Sequence, residues 1–278
     1  MLKINEHIIE TGHFPDGAPL IHPPIIPKGH DIIFEWRFEN NEEMVTLMFL
    51  AHHYKDTNPS SRTLLRMPYI PNARQDRVKN AGDVFTLKYF AEFINSLSFN
   101  IVQVLDPHSP VSEALINNLN VMQPISFISS AIFSVCQETN DEELIAFFPD
   151  EGAMKRYSSQ AALPYAFGVK MREWESGKIK GLSVIDNGIG INGKNVIIID
   201  DISSKGGTFY HSAKKLKELG ANKIYLYVTH CEKTIFKGEV FSSGLIEKVF
   251  TTNSIFTAEA RKIAKESGLS EKIEVLPL

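Results

Sequence analysis

The sequence predicts an α/β protein of two domains, each a mostly parallel sheet flanked by helices. Short apolar runs alternate along the whole chain with helical patterns, which is the order that builds parallel sheets. The run Asn195–Asp200 is continuously β-branched up to its acid, as suits a central strand covered on both faces. A chain of 278 residues with 43% apolar content is long enough for two ordinary cores.

Taken in order, Leu64–Ile70 reads as a strand followed by a polar turn. Asp83–Leu97 follows as a helix with Val84, Leu87, Phe90, Ala91 and Ile94 on its core face. Ile101–Leu105 and Leu144–Phe148 repeat the strand-and-turn pattern. Between them the polar stretch Gln137–Glu143 marks a boundary region near 125–140, giving predicted domains 1–132 and 133–278. Lys170–Lys180 is rich in charge and reads as an exposed loop. Gly188–Gly193 reads as a hairpin or loop; it precedes a strand, so it is no dinucleotide fingerprint. The strand Asn195–Asp200 then leads through a glycine-containing turn into a helix over Thr208–Leu219, with Tyr210, Ala213, Leu216 and Leu219 as its stripe. Gly220 closes that helix and Ile224–Thr229 is the next strand. His52 and His53 sit inside a helical pattern with no partner in view.

A net charge of -4 and a pI near 6.2 give no pull toward nucleic acid. Cys136 and Cys231 are far apart and lack metal-ligand spacing, so two reduced thiols are expected. No apolar run approaches the roughly 20 residues that span a bilayer, and the N-terminus lacks a secretory apolar core. The expectation is a soluble cytoplasmic protein with neither nucleic-acid nor membrane partners.

Five polar clusters follow predicted strands: Asn72–Arg77, Asp106–His108, Asp150–Gly152, Asp200–Thr208 and Thr229–His230. Ligands of open α/β sheets bind beyond the carboxyl ends of the strands, so this placement marks a site. In the fourth cluster, Asp200 and Asp201 suit the two hydroxyls of a ribose or its Mg²⁺ ion. Ser203, Ser204, Lys205, Gly206, Gly207 and Thr208 then offer hydroxyls and backbone N–H groups at a helix N-terminus, a cradle for phosphate. The order is not that of a Walker A loop. Arg74 and Arg77 flank Gln75 and Asp76 and suit bidentate phosphate contact, although a solvated loop with ion pairs has the same composition. Asp106 and His108 suit a nucleotide or a metal equally well as a turn.

These segments resemble, in order, the motifs of the phosphoribosyl pyrophosphate synthases. Phe14-Pro-Asp-Gly17 is similar to that family's F-S-D-G, and Pro68–Arg77 to its P-Y-x-x-Y-A-R-Q-D-R. Asp106-Pro-His108 resembles D-L-H, Pro149–Gly152 the P-D-x-G turn, and Lys170-Met-Arg172 the K-x-R of a mobile catalytic loop. Asp200–Thr208 resembles the ribose-phosphate loop D-D-x-x-x-T-G-G-T. The resemblance implies two phosphoribosyltransferase-like domains with the site between them, and a homo-oligomer, dimeric or hexameric. It implies a Mg²⁺-dependent transfer of diphosphate from ATP to the anomeric hydroxyl of ribose 5-phosphate. Under it Phe14 and Asp16 complete a neighbouring subunit's adenine pocket, and Arg74, Gln75, Asp76 and His108 bind ATP. Asp106, His108 and Asp150 face the metal, Lys170 and Arg172 are catalytic, and Asp200, Asp201 and Ser203–Thr208 hold the ribose phosphate.

The chain departs from the family at Ala18, where Glu is usual, at Asn72 in place of Tyr, and at Ser203-Ser-Lys205, which makes the phosphate loop more basic. Lys205 suits plain ribose 5-phosphate or a second phosphate on a 5-substituted ribose such as ADP-ribose. A catalytically silent regulatory homologue is the third reading; the retained acids and basic residues speak against it.

Overall fold

The computed structural model describes residues 1–140, 142–172 and 179–278, with side chains outside 170–180. The chain divides into two compact units, Met1–Gln123 and Pro124–Leu278.

The first unit runs β1 (Leu2–Ile4), β2 (His7–Ile8), β3 (Thr11–His13), β4 (Pro19–Ile21), β5 (Ile32–Trp36), α1 (Glu42–Thr57), β6 (Thr63–Arg66), α2 (Thr86–Ser96), β7 (Ile101–Leu105), α3 (Val111–Leu115) and β8 (Leu119–Met122). Its main sheet has the order β2-β1-β5-β6-β7-β8, parallel from β5 to β8, while β3 and β4 form a separate antiparallel ribbon. Alternate residues Ile32, Phe34 and Trp36 are fully buried, as the two-residue period of a strand requires. They share one core with Leu47, Leu50 and Tyr54 of α1 and with Leu87, Phe90 and Ile94 of α2. The Tyr54 hydroxyl donates to the Pro24 carbonyl at 2.7 Å, and burial pushes its pKa up to about 12.

Two expectations change here. The strand predicted over 64–70 stops at Arg66, because Pro68 and Pro71 have no N–H to continue a ladder. The helix predicted from Asp83 starts at Thr86, so Val84 falls outside it and is 57% exposed. The remaining stripe, Leu87, Phe90, Ala91 and Ile94, is buried as predicted. His52 and His53 lie exposed on α1.

The second unit runs α4 (Ile125–Glu138), β9 (Leu144–Phe148), α5 (Glu151–Ala161), β10 (Tyr165–Arg172), β11 (Ile179–Ile185), β12 (Asn195–Ser203), α6 (Gly207–Glu218), β13 (Ile224–Cys231), α7 (Glu239–Ser242), β14 (Lys248–Thr252), α8 (Ala258–Glu266) and β15 (Ile273–Leu276). The sheet order is β11-β10-β9-β12-β13-β14-β15, parallel throughout except for the antiparallel β10–β11 pair. β12 is central, and Val196 and Ile198 pack with α6 and α8 while Ile197 and Ile199 pack with α4 and α5. Its continuous apolar run is thus buried on both faces, as the sequence predicts.

Division after residue 132 would cut α4, whose Ile128, Ala131 and Val135 belong to the core of the second unit; the structural division falls before that helix. Along α6 the predicted Ala213 and Leu216 are buried, with Phe209 and Ser212 beside them, whereas Tyr210 is half-buried and Leu219 is the exposed C-cap. The segment read as an exposed loop over Lys170–Lys180 belongs in part to the β10–β11 hairpin, where Lys170 pairs with Leu182 and Arg172 with Ile179. Gly188–Gly193 forms the turn before β12, with positive φ at Gly188, Gly190 and Gly193. Both cysteines are free thiols, and burial pushes the Cys231 thiol up. Among the described residues no helix is long and apolar enough to cross a membrane.

Candidate functional site

The densest site is built where β12 meets α6. The strand does not end at Asp200; β12 and β13 stay paired as far as Ser203 and Cys231, several residues past the last pairing of β12 with β9. Asp200 and Asp201 therefore project from a strand that overhangs its neighbour. Alternation sends Asp201 along the row of Ile197 and Ile199, toward α5, and it is almost fully buried. There a carboxylate oxygen lies 3.5 Å from the Arg156 guanidinium of α5. Asp150 caps α5, accepting from the Ala153 amide at 3.1 Å.

Burial, then the charge of Asp201, then that of Asp150, pushes the Asp200 carboxyl well above the usual carboxylate range, against a backbone N–H bond from Asp201 at 2.9 Å. Like charges gathered in a low dielectric disfavour ionisation of one of them. Hydroxyls that donate to these oxygens, or a divalent cation, would relieve the same cost. Among the described residues no three His, Cys, Asp or Glu side chains converge as metal ligands. Mg²⁺ does not require such a cage, since it keeps waters and takes one or two carboxylates together with substrate phosphates.

The phosphate loop follows. Gly206 caps α6 with φ 76°, and a Cβ there would stand 2.2 Å from a Val240 methyl, so only glycine fits. It brings no side-chain oxygen, and the start of the 12-residue α6 is left without a side-chain cap. The N–H groups of a helix start suit an anion. Gly207 has open space around its Cβ position, and Lys205, Gly207 and Thr208 are exposed. Behind the loop, the Ser204 hydroxyl meets Thr234 Oγ1 at 3.1 Å, which in turn donates to Glu232 at 3.0 Å.

In the first unit, two clusters meet at the carboxyl ends of β6 and β7. Asp76 accepts two bonds from Arg77, at 2.7 and 2.9 Å, and one from the Ser109 hydroxyl at 2.8 Å. The Arg77 guanidinium first, then the Ser109 hydroxyl, holds the Asp76 carboxyl down at about 2, with burial opposing. Gln75 accepts from Thr86, the first residue of α2, at 2.5 Å. Asn72 stands with φ 64°, a conformation that Asn tolerates better than the Tyr of the family motif. Asp106 also has positive φ, 44°, is buried, and its amide donates to the Met122 carbonyl at 3.0 Å; His108 follows two residues later. Arg74 is exposed.

Phe14 and Asp16 sit in the turn of the β3–β4 ribbon. The turn is closed by Phe14 and Ala18, amide to carbonyl at 2.8 Å, and by Asp16 accepting from the Ala18 amide at 2.9 Å, with Gly17 at φ 85°. Phe14 is half exposed although nothing in the turn needs an aromatic ring there. Lys170 and Arg172 lie at the end of β10, on the same edge of the sheet as Asp150 and Asp200; their side chains lie outside the described residues, as do residues 173–178 entirely.

The structure thus brings together Asp150, Asp200 and Asp201 in one unit, and Asp76 with the Asp106–Ser109 turn in the other. Thr229 and His230, the fifth cluster, are buried instead: His230 Nδ1 meets the Ser254 hydroxyl at 2.8 Å and Thr252 donates to the Thr229 carbonyl at 2.7 Å. Sequence reasoning missed Arg156, Ser109, Glu232 and Thr234. Ser109 adjoins a motif and was within reach; the other three lie outside any motif, and only the fold assigns them to the site.

A family model described as the phosphoribosyl synthetase-associated domain matches residues 171–270. A ribose-phosphate pyrophosphokinase from Pyrococcus abyssi is 28% identical over 247 residues, 87% of this chain and 79% of that protein. Another from Saccharolobus solfataricus is 25% identical over 228 residues, covering 80% and 76%. A third, ribose-phosphate pyrophosphokinase 1 of Listeria monocytogenes, is 27% identical over 267 residues, covering 93% and 80%. The phosphoribosylpyrophosphate synthetase structure from Mycobacterium smegmatis superposes with a TM-score of 0.75 at 19% identity, over 97% of this chain and 86% of that one, which shows a shared fold.

Proposed function

Because the chain is a divergent member of the phosphoribosyl pyrophosphate synthase family, a family of diphosphotransferases, we propose that it moves a diphosphate from ATP to the anomeric hydroxyl of ribose 5-phosphate. The observation that carries this reading is the carboxylate pair of β12 running directly into an uncapped helix start through Gly206. One end suits the hydroxyls of a ribose and the other its 5-phosphate.

Asp200 and Asp201 accept from the ribose hydroxyls, with the Arg156 guanidinium 3.5 Å from a carboxylate oxygen of Asp201. The amides of α6, with Ser203, Ser204, Lys205, Gly206, Gly207 and Thr208, hold the phosphate. The anomeric oxygen attacks the β-phosphorus of ATP; the bond from that phosphorus to the α,β-bridging oxygen breaks, AMP leaves, and the hydroxyl proton passes to solvent. Charge spreads over the transferring oxygens, and Lys170 and Arg172 stabilise it. Asp106 in the first unit and Asp150 in the second each offer oxygen donors that suit Mg²⁺, which when bound would supply charge neutralisation to the polyphosphate. His108, a nitrogen donor, suits hydrogen bonding to ATP better than Mg²⁺. Arg74 and Gln75 complete the nucleotide contacts, with Asp76 shaping their loop, and Phe14 and Asp16 serve the adenine of a neighbouring subunit in a homo-oligomer.

One observation favours a second acceptor. Lys205 is exposed beside the open space at Gly207, which suits a further phosphate on a 5-substituted ribose such as ADP-ribose. The test offers ribose 5-phosphate and ADP-ribose separately with Mg-ATP, measuring AMP release and product mass. A product heavier by one diphosphate from ribose 5-phosphate supports the main reading, whereas release only with ADP-ribose shifts the acceptor. No AMP with either would refute both.

A further inference from the structure

The segment after β13 touches three successive residues of the phosphate loop, each by a different means. At Ser204 the contact is polar: its hydroxyl meets Thr234 Oγ1 at 3.1 Å, and Thr234 donates to Glu232 Oε2 at 3.0 Å. At Lys205 it is close backbone approach: a Cβ on Gly238 would stand 1.8 Å from the Lys205 carbonyl oxygen. At Gly206 it is apolar: Val240, fully buried, would meet any Cβ placed there at 2.2 Å. The segment is tied to the strand before the loop as well, since the Glu232 amide donates to the Ser203 carbonyl at 2.9 Å.

Glu232 accepts from Thr234 by its side chain, so the proton on Thr234 Oγ1 is committed. Thr234 can then only accept from Ser204, whose hydroxyl proton points back into the protein. That leaves the lone pairs of Ser204 Oγ outward, the wrong polarity for a phosphate, so a bound anion must turn this hydroxyl. The cost of that turn depends on Thr234.

We propose that Glu232, Thr234, Gly238 and Val240 form a brace that sets the shape of the phosphate loop, and that Thr234 tunes the affinity of Ser204 for the anion. It rests on the reading of Ser203–Thr208 as the phosphate site. These are positioning residues, since none lies in the loop itself. The brace acts on substrate binding and leaves the transfer step to other groups. Thr234→Ser keeps the hydroxyl and its chain of bonds, whereas Thr234→Val keeps the shape and removes both bonds.

The experiment compares wild type, Thr234→Ser and Thr234→Val by steady-state AMP release, with KM for the ribose substrate and for ATP determined separately, alongside melting temperature. Wild-type turnover is measured first, so that failure of the activity itself is recognised apart from failure of the brace. The expected result is a change of about threefold to tenfold in the KM of the ribose substrate for Thr234→Val, the size of one hydrogen bond, with kcat and KM for ATP within about twofold. Thr234→Ser returns the wild-type value. An unchanged ribose KM in Thr234→Val overturns the proposal, as does an equal change in both variants, or a change that tracks melting temperature in both.

Discussion

Asp76 carries the best-defined electrostatics among the described residues of the first unit. Its carboxyl, 10% exposed, is held at about 2 by Arg77, with Ser109 as a further donor. A carboxyl with a depressed folded-state pKa stabilises the protein above its unfolded value near 3.8, and that contribution is lost as pH falls toward 2. The depression is worth roughly 2 kcal/mol at neutral pH, reduced toward about 1 kcal/mol because the Arg77 side chain is 67% exposed and screened. Asp76→Asn is therefore expected to lose about 1 kcal/mol at pH 7 in denaturant titration, and to lose stability less steeply than wild type below pH 4. Equal acid limbs for both proteins would refute the assignment. From sequence, Asp76 is indistinguishable from a ligand carboxylate; the bonds that occupy it argue for shaping the Arg74–Arg77 loop instead. Gly206 was legible for the opposite reason, because a glycine between a basic residue and a helix start has few other uses. In Gly206→Ala, a positive φ costs about 1 kcal/mol, and the Val240 clash adds to it. Val240→Ala in the same chain should recover part of the loss in melting temperature, and additive losses would show that the two side chains do not meet.

Elements were most legible where burial is two-sided. Asn195–Asp200 and Leu144–Phe148 are continuous apolar runs, and β12 and β9 are buried throughout their apolar lengths. Termini were less legible. α2 begins three residues after Asp83 because the turn before it is held by the Asp83 carboxylate accepting from the Lys79 and Asn80 amides. That bond makes Asp83 part of the turn. Charge misled at Lys170–Lys180, where a loop was expected and a hairpin edge is found at both ends. Charge-rich composition is shared by loops and by the ends of strands, so composition alone cannot separate the two. This matters for catalysis, because a ladder fixes the backbone of Lys170 and Arg172. Lys170→Ala is expected to lower kcat by about 10²–10³, as removal of one transition-state donor does, with ATP binding by calorimetry essentially unchanged. Unchanged turnover would remove Lys170 from the mechanism.

At the scale of the molecule, the two-unit organisation was read from alternation of elements, while its dividing line was displaced because the polar Gln137–Glu143 stretch ends a helix and does not join two units. What no pattern in a single chain reveals is which side chains serve another copy. Phe14 is the informative case. The β3–β4 ribbon is held by its own backbone bonds and by Asp16, so the half-exposed ring adds little to its own fold. If the ring completes the adenine pocket of a neighbour, a Phe14→Ala subunit lacks what its partner needs but keeps its own Lys170, and a Lys170→Ala subunit lacks turnover but lends its ring. Each variant alone is then nearly inactive. Coexpressed in equal amounts, half of the dimers are mixed, and each mixed dimer holds one site with both groups intact. Specific activity should return to about a quarter of wild type for random pairing. A ring acting within its own subunit predicts no recovery, because every site then lacks one of the two groups. Measuring AMP release on the coexpressed mixture, with each variant's melting temperature as a control for folding, distinguishes the two arrangements.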